Sequence, residues 1–302
     1  MPELPDVTVY VEALRARMCG HAIARLELVN PFVLRSVAPR PDAFVGARVV
    51  EIGRIGKRIV IGCEGERFAV IHLMIAGRLH WLAPGAKLHR KRTLLAFHFE
   101  HGILQLTEAG TTRRASLYLV EGRDALAEHD PGGRDVASLA LAEFAAILRA
   151  ENHTLKRALT DPRVFDGIGN SYSDEILHAA KLSPIKLTQK LDDAEVARLH
   201  AACIEQLARW TDRLRARHGD AFPEEVTAFL PDMAVHGKYG QPCPVCGDTV
   251  QRIVYASRET NYCPTCQTAG KLLADRALSR LLKQDWPSSL EELESYKAAR
   301  RQ

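Results

Sequence analysis

The sequence predicts an α+β, multidomain protein, and three observations carry that expectation. Short β-rich runs without intervening helices fill residues 23–120, helical stripes dominate residues 138–218, and two Cys-x-x-Cys pairs stand at 243–266. Strands spaced in this way indicate an antiparallel sandwich or barrel. The segment behind it should be a helical domain and the cysteine pairs a zinc ribbon. Domains are expected at 1–125 for the β domain, 138–235 for the helical domain and 236–267 for the finger, with a linker at 126–137 and a helical extension at 268–302.

Taken in order, Val7, Val11, Leu14 and Met18 share one helical stripe that Gly20 ends, so one amphipathic helix is expected over residues 7–18. Strands are expected over Val49–Ile55, Arg58–Cys63, residues 68–75, Thr93–Phe99 and residues 103–107, with Glu100-His101-Gly102 turning the last pair into a hairpin. The polar stretch 121–136 holds Pro131-Gly132-Gly133 and reads as linker. The clearest helix puts Val196, Leu199, Cys203, Leu207, Trp210 and Leu214 on one face and has Gly219 beyond its end. Behind the cysteines, Leu272, Leu273, Leu278, Leu281 and Leu282 form the apolar face of one or two packing helices.

A chain of 302 residues should hold two domains or more. Its hydrophobic content of 46% is that of a soluble globular protein, and a net charge of only +4 makes overall charge a weak argument for nucleic acid. Glu3, Asp6, Glu12, Arg15 and Arg17 break any signal-peptide pattern, and no apolar run reaches membrane-spanning length, so a cytoplasmic protein is expected.

Two motifs carry chemistry. Met1-Pro2-Glu3-Leu4-Pro5-Asp6 places a proline behind the initiator methionine, and removal of Met1 would free a secondary amine. An α-amino group has a reference pKa of about 8, so part of it is unprotonated near neutrality and can attack an electrophilic carbon. Glu3 would stand beside it to move protons. A plain helix start, with Pro5 at the first turn and Asp6 as its acidic residue, explains the same six residues. The second motif, Cys243-x-x-Cys246 with Cys263-x-x-Cys266 sixteen residues on, has the spacing of a four-cysteine tetrahedral zinc site. Four protein ligands leave no open position, so the zinc should be structural. A pair of disulfides is the competing reading. Cys19, Cys63 and Cys203 are singletons expected to be buried as small apolar residues.

Between the helices, Gly167-Ile168-Gly169-Asn170 permits a tight turn, after which Asn170 is expected to cap the next helix, whose first N–H groups would suit a phosphate. A helical corner without a ligand fits equally well.

In combination and order, the Pro-Glu-Leu-Pro start, the β-rich first domain, the Gly-Ile-Gly-Asn turn and the terminal four-cysteine finger resemble the formamidopyrimidine-DNA glycosylase and endonuclease VIII family, over roughly residues 2–267. The resemblance implies a β-sandwich with a leading helix, a helix-two-turn-helix domain and a zinc finger. It also implies a base-excision repair enzyme, a DNA glycosylase and abasic-site lyase that excises oxidised bases and cuts the strand by β,δ-elimination. Pro2 would be the Schiff-base nucleophile on C1′ and Glu3 the general acid. Lys57, in Gly56-Lys57-Arg58 at a strand start, matches a phosphate-contacting lysine that assists elimination. Lys156 and Asn170 match phosphate contacts of the helical domain, and Arg258 matches the finger arginine near the lesion's flanking phosphate. With Arg113, these residues would clamp a kinked duplex across an interdomain cleft, helped by the basic loop Lys87, His89, Arg90, Lys91 and Arg92. Flipping the nucleotide out of the stack is then required before an amine can reach C1′.

Departures from the family pattern bear on the substrate. His72-Leu73-Met74-Ile75-Ala76-Gly77 puts Met74 one place early and Ile75 at the position that fills the void of the flipped base, which leaves both as candidates. Glu108-Ala109-Gly110-Thr111-Thr112-Arg113-Arg114-Ala115 has Ala115 where the formamidopyrimidine branch has a phenylalanine. Residues 219–235, with Phe222-Pro223-Glu224-Glu225, replace the loop that caps 8-oxoguanine in that branch. The reaction type is thus better supported than the base excised. An abasic-site lyase with little glycosylase activity and a non-catalytic damaged-DNA-binding protein are the alternatives. The expected partner is damaged double-stranded DNA, with single-stranded or bubble DNA also open. The expected cofactor is one structural Zn2+, and a monomer suffices.

Overall fold

In a computed structural model of the chain, residues 1–109, 112–224, 226, 229–255, 258–273, 287, 292 and 295 are described, without the side chains of 255 and 258. The chain divides into two units, Met1–Gly133 with Leu207–Ala228, and Arg134–Gln206 with the described part of Phe229–Gln302.

The first unit opens with α1 (Leu4–Met18). It begins before residue 7 because Glu3 and Asp6 cap it reciprocally and Pro5 suits the first turn. Its stripe of Val7, Val11, Leu14 and Met18 is buried as expected. The strands are β1 (Arg25–Leu28), β2 (Val49–Ile55), β3 (Arg58–Cys63), β4 (Arg67–His72), β5 (Gly77–Leu82), β6 (Thr93–Phe99), β7 (Gly102–Glu108) and β8 (Ser116–Glu121). They form two antiparallel four-stranded sheets, β1-β6-β7-β5 and β2-β3-β4-β8. One core, from Val7 and Tyr10 of α1 to Ile59, Phe97, Leu104 and Leu117, joins α1 to residues of both sheets, which makes the unit a sandwich with a leading helix.

Three of the five predicted runs match their strands to the residue, the run at 103–107 falls one residue short of β7 at each end, and the run at 68–75 overshoots β4. β4 stops at His72, not residue 75, because Met74 takes a left-handed backbone and the Gly77 N–H closes back on Leu73 O at 2.9 Å. A Cβ on Gly77 would stand 2.3 Å from that oxygen, so only glycine permits the turn. The polar stretch read as linker contains a short helix, α2 (Arg123–Ala127).

The second unit carries α3 (Leu141–Arg149), α4 (Leu155–Thr160), α5 (Asn170–Ala179) and the start of α6 (Asp193–His218). Phe144 and Phe165 stack at 5.0 Å inside it. The predicted face of α6, Val196 to Leu214, is buried throughout. The cysteine pairs flank an antiparallel hairpin of β9 (Gln251–Tyr255) and β10 (Arg258–Tyr262), followed by α7 (Pro264–Thr268). Leu278, Leu281, Leu282 and most of the expected extension lie outside the described residues, while Leu273 donates its N–H to the Tyr262 hydroxyl at 2.7 Å. Cys63 and Cys203 are buried, but Cys19 is half-exposed at the end of α1. Among the described residues, no helix is long and apolar enough to cross a membrane.

Candidate functional site

The first cluster is the amino terminus. Pro2 and Glu3 are buried, with Glu3 1% exposed, because Glu3 is the N-cap of α1. Its N–H donates to Asp6 Oδ2 at 2.8 Å, and its own carboxylate accepts the Asp6 N–H. Burial pushes the Met1 amino group down, an effect that Arg78 and Lys57 reinforce and Glu3 and Asp6 oppose. Burial also pushes the Asp6 carboxyl up to about 7, with the neighbouring Glu3 charge adding to it. A chain start of lowered basicity beside two carboxyl groups and two cations is a setting that would suit an amine freed at Pro2 for nucleophilic attack with proton transfer.

Lys57 sits with Gly56 in the turn between β2 and β3, directly before the start of β3 as expected. Across the sheet, Arg58 pairs with His72, whose imidazole burial pushes down to about 4, helped by Arg58 and Lys57. His72 is therefore neutral at pH 7. Ile75, at the tip of the turn after β4, is 62% exposed, whereas Met74 is half-buried. Ala115 is 3% exposed and belongs to the core, so the position where a phenylalanine was expected presents nothing to solvent. Buried Glu108 holds this stretch by accepting the N–H groups of Arg114 and Ala115. Gly110 and Thr111 lie outside the described residues. Arg113 donates to Lys91 O, which ties it to the exposed basic loop that holds Lys87, His89, Arg90 and Arg92.

Within the same unit, the segment after α6 is anchored. Phe222 packs against Tyr10 and Trp81 at 5.9 and 6.5 Å, under the Arg17 guanidinium at 5.5 Å. Glu224 pairs with His80 and accepts the Trp81 N–H at 3.2 Å. Residues 225, 227 and 228 lie outside the described residues.

The second cluster surrounds the glycine turn. Gly169, not Asn170, is the N-cap of α5. Asn170 is its first residue and instead donates from Nδ2 to Glu259 O at 2.8 Å, tying the turn to β10. Lys156 donates to Asn170 O at 2.6 Å and pairs with Asp174. Asp174, 0% exposed, also accepts from His236 Nδ1 at 2.8 Å and Asn261 N at 3.1 Å. Glu175 accepts the N–H groups of Ala234, Val235 and His236. Arg78, Asp174 and His236 were not singled out in the sequence, and Asp6 reads there only as the acidic residue of a helix start. Only Asp6 left a local sign, as the acidic residue three places after Glu3.

The third cluster is the finger. The Sγ atoms of Cys243, Cys246, Cys263 and Cys266 all lie within 4.8 Å of one another, and none is in a disulfide. Four thiols at this separation fit one tetrahedral zinc, which completes all four positions and makes the ion structural. The N–H of Cys266 points at Cys263 Sγ at 3.4 Å, and His178 Nε2 lies 3.3 Å from Cys243 Sγ, contacts that support thiolates. Arg258 opens β10, and its side chain lies outside the described residues.

The chain matches three family models: the formamidopyrimidine-DNA glycosylase N-terminal domain over residues 1–116, the H2TH domain of the same enzymes over 132–212, and the zinc finger found in FPG and IleRS over 240–269. It is 32% identical over 282 residues to the formamidopyrimidine-DNA glycosylase of Desulforamulus reducens, covering 89% of this chain and 100% of that one. It is 42% identical over 151 residues to a formamidopyrimidine-DNA glycosylase-like protein of Mycobacterium tuberculosis, covering 50% of this chain and 94% of that one. Among solved structures, Lactococcus lactis Fpg in complex with DNA containing an abasic site superposes with a TM-score of 0.79 at 25% identity, covering 88% of this chain and 99% of that one. The same protein bound to DNA with an oxidised pyrimidine gives 0.78 at 25% identity, covering 88% and 100%.

Proposed function

We propose, for a chain that belongs to the formamidopyrimidine-DNA glycosylase family, that it excises damaged bases from DNA and cleaves the resulting abasic strand through an imine on Pro2. The observation that carries this reading is the buried Pro2-Glu3 start of α1, capped by Asp6, at a chain terminus whose amine feels the charges of Arg78 and Lys57. The structural neighbours bound to abasic and oxidised DNA support the substrate class.

Once Met1 is removed, the neutral Pro2 amine attacks C1′ and the bond to the base breaks, the base leaving with the electron pair and a proton. The proton that the base carries away is the one the amine sheds, and protonation of the ring oxygen by Glu3 then opens the sugar to an iminium ion. Removal of a C2′ proton then breaks the C3′–O bond, a second elimination breaks the C5′–O bond, and water releases Pro2. Lys57 holds a phosphate near the reacting sugar. Asn170, Lys156, Arg113, Arg92 and Arg258 bind flanking backbone, and zinc keeps the β9–β10 hairpin in shape.

One observation favours a second reading within this chemistry. Ala115 is buried and gives no side chain to fill the void of a flipped base, and Phe222 and Glu224 fasten residues 222–224, at the start of the segment that replaces the capping loop, to the sandwich. Lesions that are loosely paired, and abasic sites above all, are then preferred over 8-oxoguanine paired with cytosine. A panel of duplexes, each with one lesion, scored for base release separately from strand cleavage, tests both readings. Release from at least one oxidised base supports the glycosylase. Cleavage confined to preformed abasic sites supports the lyase, and binding without either reaction contradicts both.

A further inference from the structure

The site described so far uses Glu3 as the acid but leaves open where its proton rests between turnovers. Asp6 is buried, and among the described residues only Oδ2 of its two oxygens has a partner, the Glu3 N–H at 2.8 Å. Oδ1 is buried without a hydrogen bond. An ionised carboxylate in that position would be stranded away from water, whereas a protonated one is tolerated. The charged and titratable groups facing it are Glu3, the amino terminus and Arg78 of β5, together with Tyr10, which takes the Leu79 N–H on its hydroxyl. Glu3 and Asp6 are thus two carboxyl groups within one capped helical turn, at a place where burial and mutual repulsion oppose ionising both.

We propose that Glu3 and Asp6 form a carboxyl pair that keeps one proton in common at neutral pH, with Asp6 its resting place and Glu3 the group that delivers it to the sugar. This rests on the imine chemistry proposed above. In the step that opens the ring, Glu3 passes a proton to the ring oxygen and the pair becomes doubly ionised. The amine proton has left with the base, and removal of the C2′ proton in the elimination that follows restores one proton to the pair, so no outside acid is consumed. Asp6 acts through Glu3 and is a positioning residue. The upward displacement of its carboxyl to about 7 agrees with a proton held through neutrality.

Asp6→Asn tests this, because the amide oxygen can still accept the Glu3 N–H while the proton store is gone. Single-turnover nicking of a duplex with one preformed abasic site is compared for variant and wild type from pH 5 to pH 8, as the ratio of the two rates, so that protonation of the amine affects both alike. The ratio is expected to be closest to one at pH 5, where solvent still protonates the single remaining carboxyl, and to fall at least about tenfold further by pH 7. A ratio of one throughout overturns the proposal. A ratio reduced equally at every pH, with circular dichroism unchanged, also overturns it and leaves Asp6 as a cap only. Absence of nicking by the wild type overturns the imine reading itself, and this inference falls with it.

Discussion

Lys156 and Asp174 form an ion pair whose carboxylate is fully buried and is shared with His236 and Asn261. Because Asp174 collects three contacts across two oxygens, removing it strands a mostly buried lysine and a buried imidazole together. Asp174→Ala is expected to destabilise the second unit by about 3–5 kcal/mol, the usual cost of breaking a buried pair from one side. Asp193→Ala, which loses only an exposed pair with Arg149, should change stability by less than about 0.5 kcal/mol. Urea denaturation of both variants checks the contrast.

Ile75 is exposed on a turn closed by Gly77 and Leu73, so its side chain contributes little to folding. Ile75→Ala should leave the melting temperature within a few degrees and lower base release from paired lesions about tenfold more than cleavage of a preformed abasic site. Equal losses on both substrates would remove Ile75 as the group that fills the void.

The raised Asp6 carboxyl makes stability pH-dependent in a defined direction. The folded chain keeps this proton up to about 7 and the unfolded chain loses it near 3.8, so folding takes up a proton between those values and stability falls as pH rises through the window. The full effect is roughly 4 kcal/mol from the linkage relation. Asp6→Asn should match the wild type near pH 4 and exceed it by a few kcal/mol at pH 8, as read from denaturant midpoints.

Much of this was legible in the sequence. The stripes of α1 and α6, and strands β2, β3 and β6, announce themselves because each pattern lies within one local segment. The four cysteines are equally local, two per turn. What escaped depends on distant partners. Asp174 acquires its meaning from Lys156, His236 and Asn261, which reach it only in the folded chain. Asn170 was expected to cap its own helix, but the carbonyl of Glu259 draws its side chain away and Gly169 takes the cap. The early end of β4 follows from the left-handed Met74, which the apolar run through Ile75 concealed. The Glu3–Asp6 cap was visible only as an acidic first turn, and its burial was not.

Zinc should be needed for the finger and not for the sandwich, whose core contains none of the four ligands. Cys263→Ser is expected to lower bound zinc from one per chain to near zero and to weaken binding of an abasic duplex at least tenfold, with far-ultraviolet circular dichroism largely retained. Undiminished DNA affinity in zinc-free protein would contradict the assignment.

The central claim is that Pro2 is the nucleophile. Borohydride trapping on a duplex with one abasic site, for wild type and Pro2→Gly, with intact mass confirming removal of Met1, tests it most directly. A covalent adduct in the wild type that is lost in the variant is the predicted result. Tight binding with no adduct, despite a free Pro2 amine, would contradict it.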